Sequence, residues 1–191
     1  MRADRAEARV PTIRPARPED APALARLAEA TFRATFGATN APEQMDRHCR
    51  EHFGAPIQAA EIADPQAGTL LVDDGGPLIG YAQVRWGETP SCIAARSPGE
   101  IRRIYLVEAW QGRGLAQYLL AACIDAIRQR GSDAAWLGVW EQNPRAISFY
   151  RKCGFVEAGE HVFRLGTEPQ RDVIMIKVFT PGEQPRFVEI G

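Results

Sequence analysis

Apolar residues return every three or four positions between Leu115 and Ile127. Leu115, Leu119, Cys123 and Ile127 form one line, and Leu120 and Ile124 widen it. The stripe predicts a helix over about 112–130, buried on one face and ended by Gly131. Leu24, Leu27 and Ala28 mark a second amphipathic helix, with Asp20 as its expected N-cap, Pro22 in its first turn and an end near Arg33. Two shorter helices are expected over 42–53 and 56–63, and a last one over 144–152, with Asn143 at its N-cap and Gly154 after it. Elsewhere the pattern predicts strands over 12–16, 69–72, 78–86, 101–107, 135–139, 155–157 and 173–179. Asp73-Asp74-Gly75-Gly76 joins two of them as a hairpin, and 87–99, with two prolines, reads as a loop.

A strand, a helix and a strand in succession over 101–139 require a right-handed crossover, which makes those two strands parallel. The rest has hairpin character. The fold class is therefore α/β in the α+β sense, a mixed and mostly antiparallel sheet with helices packed on it. No repeat or linker divides the chain, so a single domain over 1–191 is expected, with its core over about 12–178 and a loosely held tail over 180–191.

Composition adds exclusions. Of 191 residues, 45% are apolar and 25% charged, with a net charge of −1 and no long run of one sign. No electrostatic footprint for nucleic acid or an anionic membrane follows from that balance. No apolar run is long enough to span a bilayer, and the charged segment 1–9 lacks the apolar stretch of a secretory signal. Cys49, Cys92, Cys123 and Cys153 are scattered and form no CxxC pair. The expectation is a cytoplasmic protein without disulfides. His48 and His52 lie one helical turn apart beside Cys49, a spacing able to hold Zn²⁺, but no third ligand follows. A partly exposed helix face is the expected reading there, and no metal site.

Chemistry enters at Gln111-Gly112-Arg113-Gly114-Leu115-Ala116, between a strand and a helix. Glycines let the backbone approach an anion and adopt positive φ. The helix start offers unpaired N–H groups and a partial positive charge, and Arg113 adds a cation. A diphosphate suits such a turn. A dinucleotide fingerprint would need a third glycine where Gln117 stands, and no Gly-Lys-Ser/Thr ending marks a Walker A loop. By itself the loop is also compatible with a plain tight turn.

Gln111 to Ala116 resembles the (Arg/Gln)-x-x-Gly-x-(Gly/Ala) motif of the GNAT superfamily of N-acetyltransferases, and the branched strand Ile101 to Val107 runs directly into it. A second stretch, Asn143-x-x-Ala146-x-x-Phe149-Tyr150-x-x-x-Gly154-Phe155, is similar to that family's downstream signature at every position. The resemblance is most specific over 100–155 and implies a GNAT fold. That fold is a six- to seven-stranded sheet with helices on both faces and a parallel pair splayed at the coenzyme site. It implies acetyl-CoA as cosubstrate, with no metal. Ile104, Tyr105 and Leu106 would pair with the pantetheine along a bulged strand. Gln111, Gly112, Arg113, Gly114, Leu115 and Ala116 would hold the pyrophosphate, and Asn143 and Ala146 would touch the coenzyme. Lys152 and Arg151 stand where the adenosine phosphates would pass, although cations are common at any helix end.

The resemblance makes Tyr150 the general acid. A coenzyme A thiolate must be protonated as it leaves, and a phenol (ordinary pKa ~10) can donate to a thiolate (~8.5). A core tyrosine with a satisfied hydroxyl is the structural alternative. An attacking alkylamine must lose a proton, and Glu100 is the candidate base. It stands eleven positions before Gln111, the spacing of the catalytic glutamate in histone acetyltransferases of the superfamily. Other members use a glutamate in the later strand, where this chain has Gly138; Glu141 is a second candidate. Cys153 has no partner histidine nearby in sequence, so an acyl-enzyme is not expected.

The acceptor pocket is expected from the N-terminal helices and the 87–99 loop, with Phe32, Phe36, Trp86 and Glu141 as its candidate residues. The segments 31–40 and 137–141 resemble bacterial spermine/spermidine N-acetyltransferases, which points to a primary amine of a small molecule, with a polyamine as the example. Phe32 and Phe36, four apart, also fit a core stripe. The alternatives are a protein N-terminal or lysine acetyltransferase, and a non-catalytic coenzyme A-binding domain. The expected partner is the small-molecule amine, with neither nucleic acid nor membrane; a homodimer stays open.

Overall fold

The computed structural model describes residues 10–165 and 167–180; the segment before Val10 and the tail after Thr180 lie outside the described residues. The strands are β1 (Thr12–Pro15), β2 (Ala67–Asp73), β3 (Leu78–Arg85), β4 (Pro98–Leu106), β5 (Ala134–Trp140), β6 (Val156–Leu165) and β7 (Glu168–Val178). The helices are α1 (Ala21–Phe36), α2 (Pro42–His52), α3 (Ala55–Ala63), α4 (Leu115–Gln129) and α5 (Pro144–Lys152). One sheet holds all seven strands in the order β1-β2-β3-β4-β5-β7-β6. Every neighbouring pair is antiparallel except β4 with β5.

The alternation of side chains along β2 and β3 decides which helix covers which face. Leu71 and Tyr81 point into a cluster with Leu24, Ala28, Phe32, Met45 and Phe53 of the N-terminal helical region. Their neighbours Val72, Ala82 and Val84 point the other way, onto α4. The predicted stripe of α4 is the buried one: Leu115, Leu119, Leu120, Cys123, Ile124 and Ile127 are all inside. Burial also pushes the Cys123 thiol up to about 12, which leaves it unreactive. The four cysteines are free thiols.

Three expectations need correction. Asp20 does not cap α1: its own backbone is helical and its side chain makes no cap bond. Its carboxylate instead takes both guanidinium arms of Arg14 at 2.8 Å and the Arg17 amide at 2.7 Å. Arg14 thereby holds the Asp20 carboxyl down to about 2. Next, β6 and β7 form a hairpin much longer than the short runs expected over 155–157 and 173–179. As an edge strand, β6 is exposed at most positions and bulges between Glu157 and Gly159, so the alternation that betrays a strand is lost. Lastly, the 87–99 loop does not line the acceptor side. Ile93 packs with Ala134, Trp136, Ile174 and Ile176, and the Arg96 and Ser97 amides donate to Asp133, each at 3.0 Å.

Candidate active site

The parallel pair β4–β5 is joined only from Pro98↔Ala134 to Glu100↔Trp136. Past Glu100 the two strands part. β4 stays paired with β3 on its other edge, with Ile104 opposite Ala82, Tyr105 opposite Tyr81 and Leu106 opposite Gly80. The register skips one residue, from Val84↔Ile101 to Gln83↔Arg103, so Arg102 is the extra residue of a bulge. A strand that bends away from its parallel neighbour exposes backbone amides and carbonyls along the opening. An extended chain with amide groups of its own can bond to that edge.

The opening leads at one end to the glycine loop. Gly112 and Gly114 have φ of 77° and 81°, and a Cβ built on either meets nothing within 4 Å. The space above both is therefore open, and their backbone suits glycine alone among ordinary residues. Gly114 is the N-cap of α4 and supplies no side chain to cap it. The first-turn amides of that helix face an anion site by default. The side-chain amide of Gln111 donates to the Leu106 carbonyl at 3.2 Å, tying the loop to the end of β4, while the Arg113 guanidinium lies 5.5 Å from the centre of the Trp110 ring. On α5, Asn143 is an N-cap, accepting from the Ala146 amide at 3.0 Å, and Lys152 is exposed at the far end.

Beyond the vertex the opening widens into a cavity of about 350 Å³. Glu100, Ile104, Tyr105, Asn143, Ala146 and Tyr150 line it, as do Phe32 and Phe36. Leu106, the loop from Gln111 to Ala116 and Lys152 flank the site without lining this cavity. Trp86 and Glu141 are elsewhere. The Trp86 indole donates to the Ser132 hydroxyl at 3.2 Å under the Arg130 guanidinium, and Glu141 pairs with Arg171 at 2.9 Å. Both find partners outside the cavity, which their chain positions alone do not reveal.

The remaining wall comes from residues with no motif to mark them. His48 and His52 face inward; the partly exposed helix face expected for the pair holds for His52, but His48 is 5% exposed and stacks on Phe32 with ring centres 4.6 Å apart. Burial, then the nearby His52 and Arg103, lower His48 to about 4, so it is neutral at pH 7. Trp140, Phe163, His161 and Asp172 close the cavity from β5, β6 and β7. Two bonds fasten the β6–β7 hairpin to the helical side: Gln170 Nε2 donates to Asn40 Oδ1 at 2.6 Å, and the Thr167 amide to Gln44 Oε1 at 3.0 Å. Arg103 is held from behind by both oxygens of Glu61, at 3.0 and 2.8 Å, and by Gln83 at 2.5 Å. Among the described residues no group of three His, Cys, Asp or Glu is placed to hold a metal ion.

Burial is the main force on the ionisable groups. It raises the phenol of Tyr150 well above its ordinary value, with Tyr105 adding to the shift, so Tyr150 carries its proton at any physiological pH. It raises Glu100 too, against the opposing pull of Arg102 and Arg85. A carboxylate destabilised in its charged form is a better proton acceptor than one in water. The site thus brings together a phenol that keeps its proton, a carboxylate with raised proton affinity and an open strand edge, beside a turn whose geometry suits an anion.

A profile of the acetyltransferase (GNAT) family matches residues 23–155. The chain belongs to the GNAT family. Membership makes it an acetyl-CoA-dependent N-acetyltransferase, and the open glycines, the α4 start and the free edge of β4 are the features that fit the coenzyme. An uncharacterized N-acetyltransferase of Lactobacillus delbrueckii subsp. lactis is 31% identical over 159 residues, covering 83% of this chain and 92% of its own. The N-alpha-acetyltransferase RimI of Mycobacterium tuberculosis is 33% identical over 100 residues, covering 52% and 58%. In fold, this GNAT enzyme matches the Thermoplasma acidophilum PaiA N-acetyltransferase in complex with coenzyme A. The TM-score is 0.69 with 22% identity, over 89% of this chain and 99% of the other. Among the described residues no helix is long and apolar enough to cross a membrane.

Proposed function

We propose that the protein acetylates a primary amine of a small molecule by direct attack within a ternary complex with acetyl-CoA. The observation that carries this reading is the single cavity in which Glu100, at the vertex where β4 and β5 part, and Tyr150 on α5 face the same open strand edge. In this reading Ile104, Tyr105 and Leu106 pair with the pantetheine arm, and backbone N–H groups there polarise the thioester carbonyl. Gln111 to Ala116 hold the pyrophosphate; Asn143, Ala146 and Lys152 complete the coenzyme contacts. Bound acetyl-CoA supplies the activated acetyl group. Glu100 accepts the proton of the amine, directly or through water, and Tyr150 donates to the departing sulfur. Phe32 and Phe36 flank the acceptor.

A volume of about 350 Å³ suits a small ligand. Its charges argue against a long polycation. The lining carboxylates are Glu100 and Asp172, and Arg102 and Arg103 stand among them. A polyamine would have to bring its several charges beside these two arginines. An amine carrying an apolar or aromatic body fits better, resting against Phe32, Phe36, Trp140 and Phe163. The similarity to RimI favours a second reading, a peptide N-terminus as acceptor.

The test is free-thiol release from acetyl-CoA in the presence of phenethylamine, spermidine, amino acids and short peptides. The expected order places the arylalkylamine above spermidine. Preference for a peptide selects the second reading. Tight coenzyme binding with no acceptor-dependent release would leave a coenzyme-binding domain without transfer activity.

A further inference from the structure

His161 and Asp172 face one another across the β6–β7 ladder, with His161 Nε2 and Asp172 Oδ2 4.0 Å apart. Both line the cavity, and the described contacts place their functional groups on the same side of the sheet as Gly138 of β5. The sheet order sets β7 between β5 and β6, so the imidazole reaches over β7 to lie above β5. Only a glycine at 138 permits this. A Cβ there would stand 2.9 Å from His161 Cε1 and 3.3 Å from Asp172 Oδ2. Asp172 is buried, whereas the His161 side chain is 40% exposed. The imidazole thus has a carboxylate beside it on the inside and water on the outside.

We propose that His161, positioned by Asp172, is a second proton acceptor for the amine, acting in parallel with Glu100. This rests on the amine-acceptor reading given above. An alkylammonium loses one proton to an imidazole nitrogen, and the electron pair left on nitrogen forms the bond to the acetyl carbon. The C–S bond breaks with its electrons on sulfur, which takes the Tyr150 proton. The second proton of the attacking nitrogen restores Tyr150, and His161 returns its own to water. The cycle releases one proton overall.

The charges around His161 are consistent with that use. Asp172 on β7 and Glu100 on β4 each interact electrostatically with His161, and Arg102 on β4 acts on Glu100. Glu141, at the end of β5, acts on Asp172. Burial raises Asp172, and the adjoining imidazole offsets part of that shift. A buried carboxylate that is stabilised when its neighbour is protonated is a fit partner for a histidine that must gain and lose a proton at each turnover.

The experiment measures kcat/KM against pH for wild type, His161→Gln, Asp172→Asn, Glu100→Gln and the Glu100→Gln/His161→Gln double variant. Coenzyme affinity and melting temperature are followed in each. His161→Gln is expected to lower kcat/KM about 10-fold near neutral pH, and by about 100-fold when Glu100 is already replaced, because the two acceptors substitute for one another. An acceptor must be unprotonated to work, so each limb rises with pH. The acid limb should differ between Glu100→Gln and His161→Gln, because a different group then takes the proton in each. Added imidazole should restore His161→Ala in a saturable manner. Gly138→Ala should reproduce the His161→Gln profile by moving the ring while leaving coenzyme affinity unchanged.

Unchanged rates and an unchanged acid limb for His161→Gln in both backgrounds overturn the proposal. So does a loss confined to melting temperature, with no change of profile and no imidazole rescue. Wild-type enzyme that releases thiol with no amine overturns the amine reading itself and this inference with it. The two failures are told apart because one appears in the variants and the other in the parent enzyme.

Discussion

The two sides of the cavity are built in different ways. On the proposed coenzyme side, β4 leads through a short 3-10 turn at Glu108–Trp110 to Gly112, Gly114 and α4, and α5 follows one strand later. The acceptor side takes Phe32 and Phe36 from α1, His48 and His52 from α2, Trp140 from β5, and His161, Phe163 and Asp172 from the β6–β7 hairpin. In the proposed function, contiguous backbone would carry the first set of contacts, and side chains gathered from across the chain the second. Backbone recognition ties a site to a motif with fixed spacing. A side-chain wall can change residue by residue while the fold that presents it stays the same.

That contrast makes a prediction about separability, and the largest effect belongs to the residue shared by both sides. Tyr150→Phe should lower kcat by about 100-fold with little change in affinity for either ligand, since it removes a proton donor and keeps the ring. Steady-state kinetics with separate titration of each substrate checks this. A fall in coenzyme affinity as large as the fall in rate would make Tyr150 a packing residue.

Gly114→Glu comes next. A side chain forced to φ of 81° is strained by ~1–2 kcal/mol, and its charge repels a diphosphate, so coenzyme affinity should fall at least about 10-fold. Calorimetry with coenzyme A measures it. Unchanged binding would break the comparison outright, because the anion would then lie elsewhere.

Phe36→Ala should raise KM for an arylalkylamine several-fold, by about 5-fold if ~1 kcal/mol of ring contact is lost, and leave coenzyme affinity alone. Equal effects on both ligands would mean that the two sides are one unit. The smallest effect is expected from Gln170→Ala, which removes the 2.6 Å bond to Asn40. Losing such a bond costs about 1 kcal/mol, and the hairpin should loosen from the helices. Hydrogen exchange of the 168–173 amides should quicken while that of α4 stays as it was.

The same contrast explains what could be read from the chain. The α4 stripe, the parallel crossover and the helix capped by Asn143 are local patterns with a fixed period, and all three stand in the structure. The bulge in β4 was implied by the family resemblance, and it falls on Arg102. The acceptor wall had no such signature. His48 and His52 have the spacing of an ordinary helix face, and nothing local says that α2 turns His48 onto Phe32 and Phe163. His161 sits on an edge strand whose polar positions conceal its pairing with β7. Trp86 and Glu141 misled for a related reason, since strand ends adjoin a cavity in sequence more often than in space, and each is taken up by Ser132 or Arg171. Gly138 did carry a signal. The absence of a side chain in the middle of a strand asks what occupies the vacated room, and the occupant is a histidine.

The short contact between β4 and β5 has a mechanical meaning as well. With only the three rungs from Pro98↔Ala134 to Glu100↔Trp136, backbone pairing joins the sheet's two plates at one corner. A coenzyme laid along the gap would act as a clasp across that seam. The protein should then melt at a higher temperature as coenzyme concentration rises, by the ordinary law of mass action. The gain should be felt most by the plate formed from β5, β7 and β6. On this reading, the opening is the line across which donor binding adds most to the protein's stability.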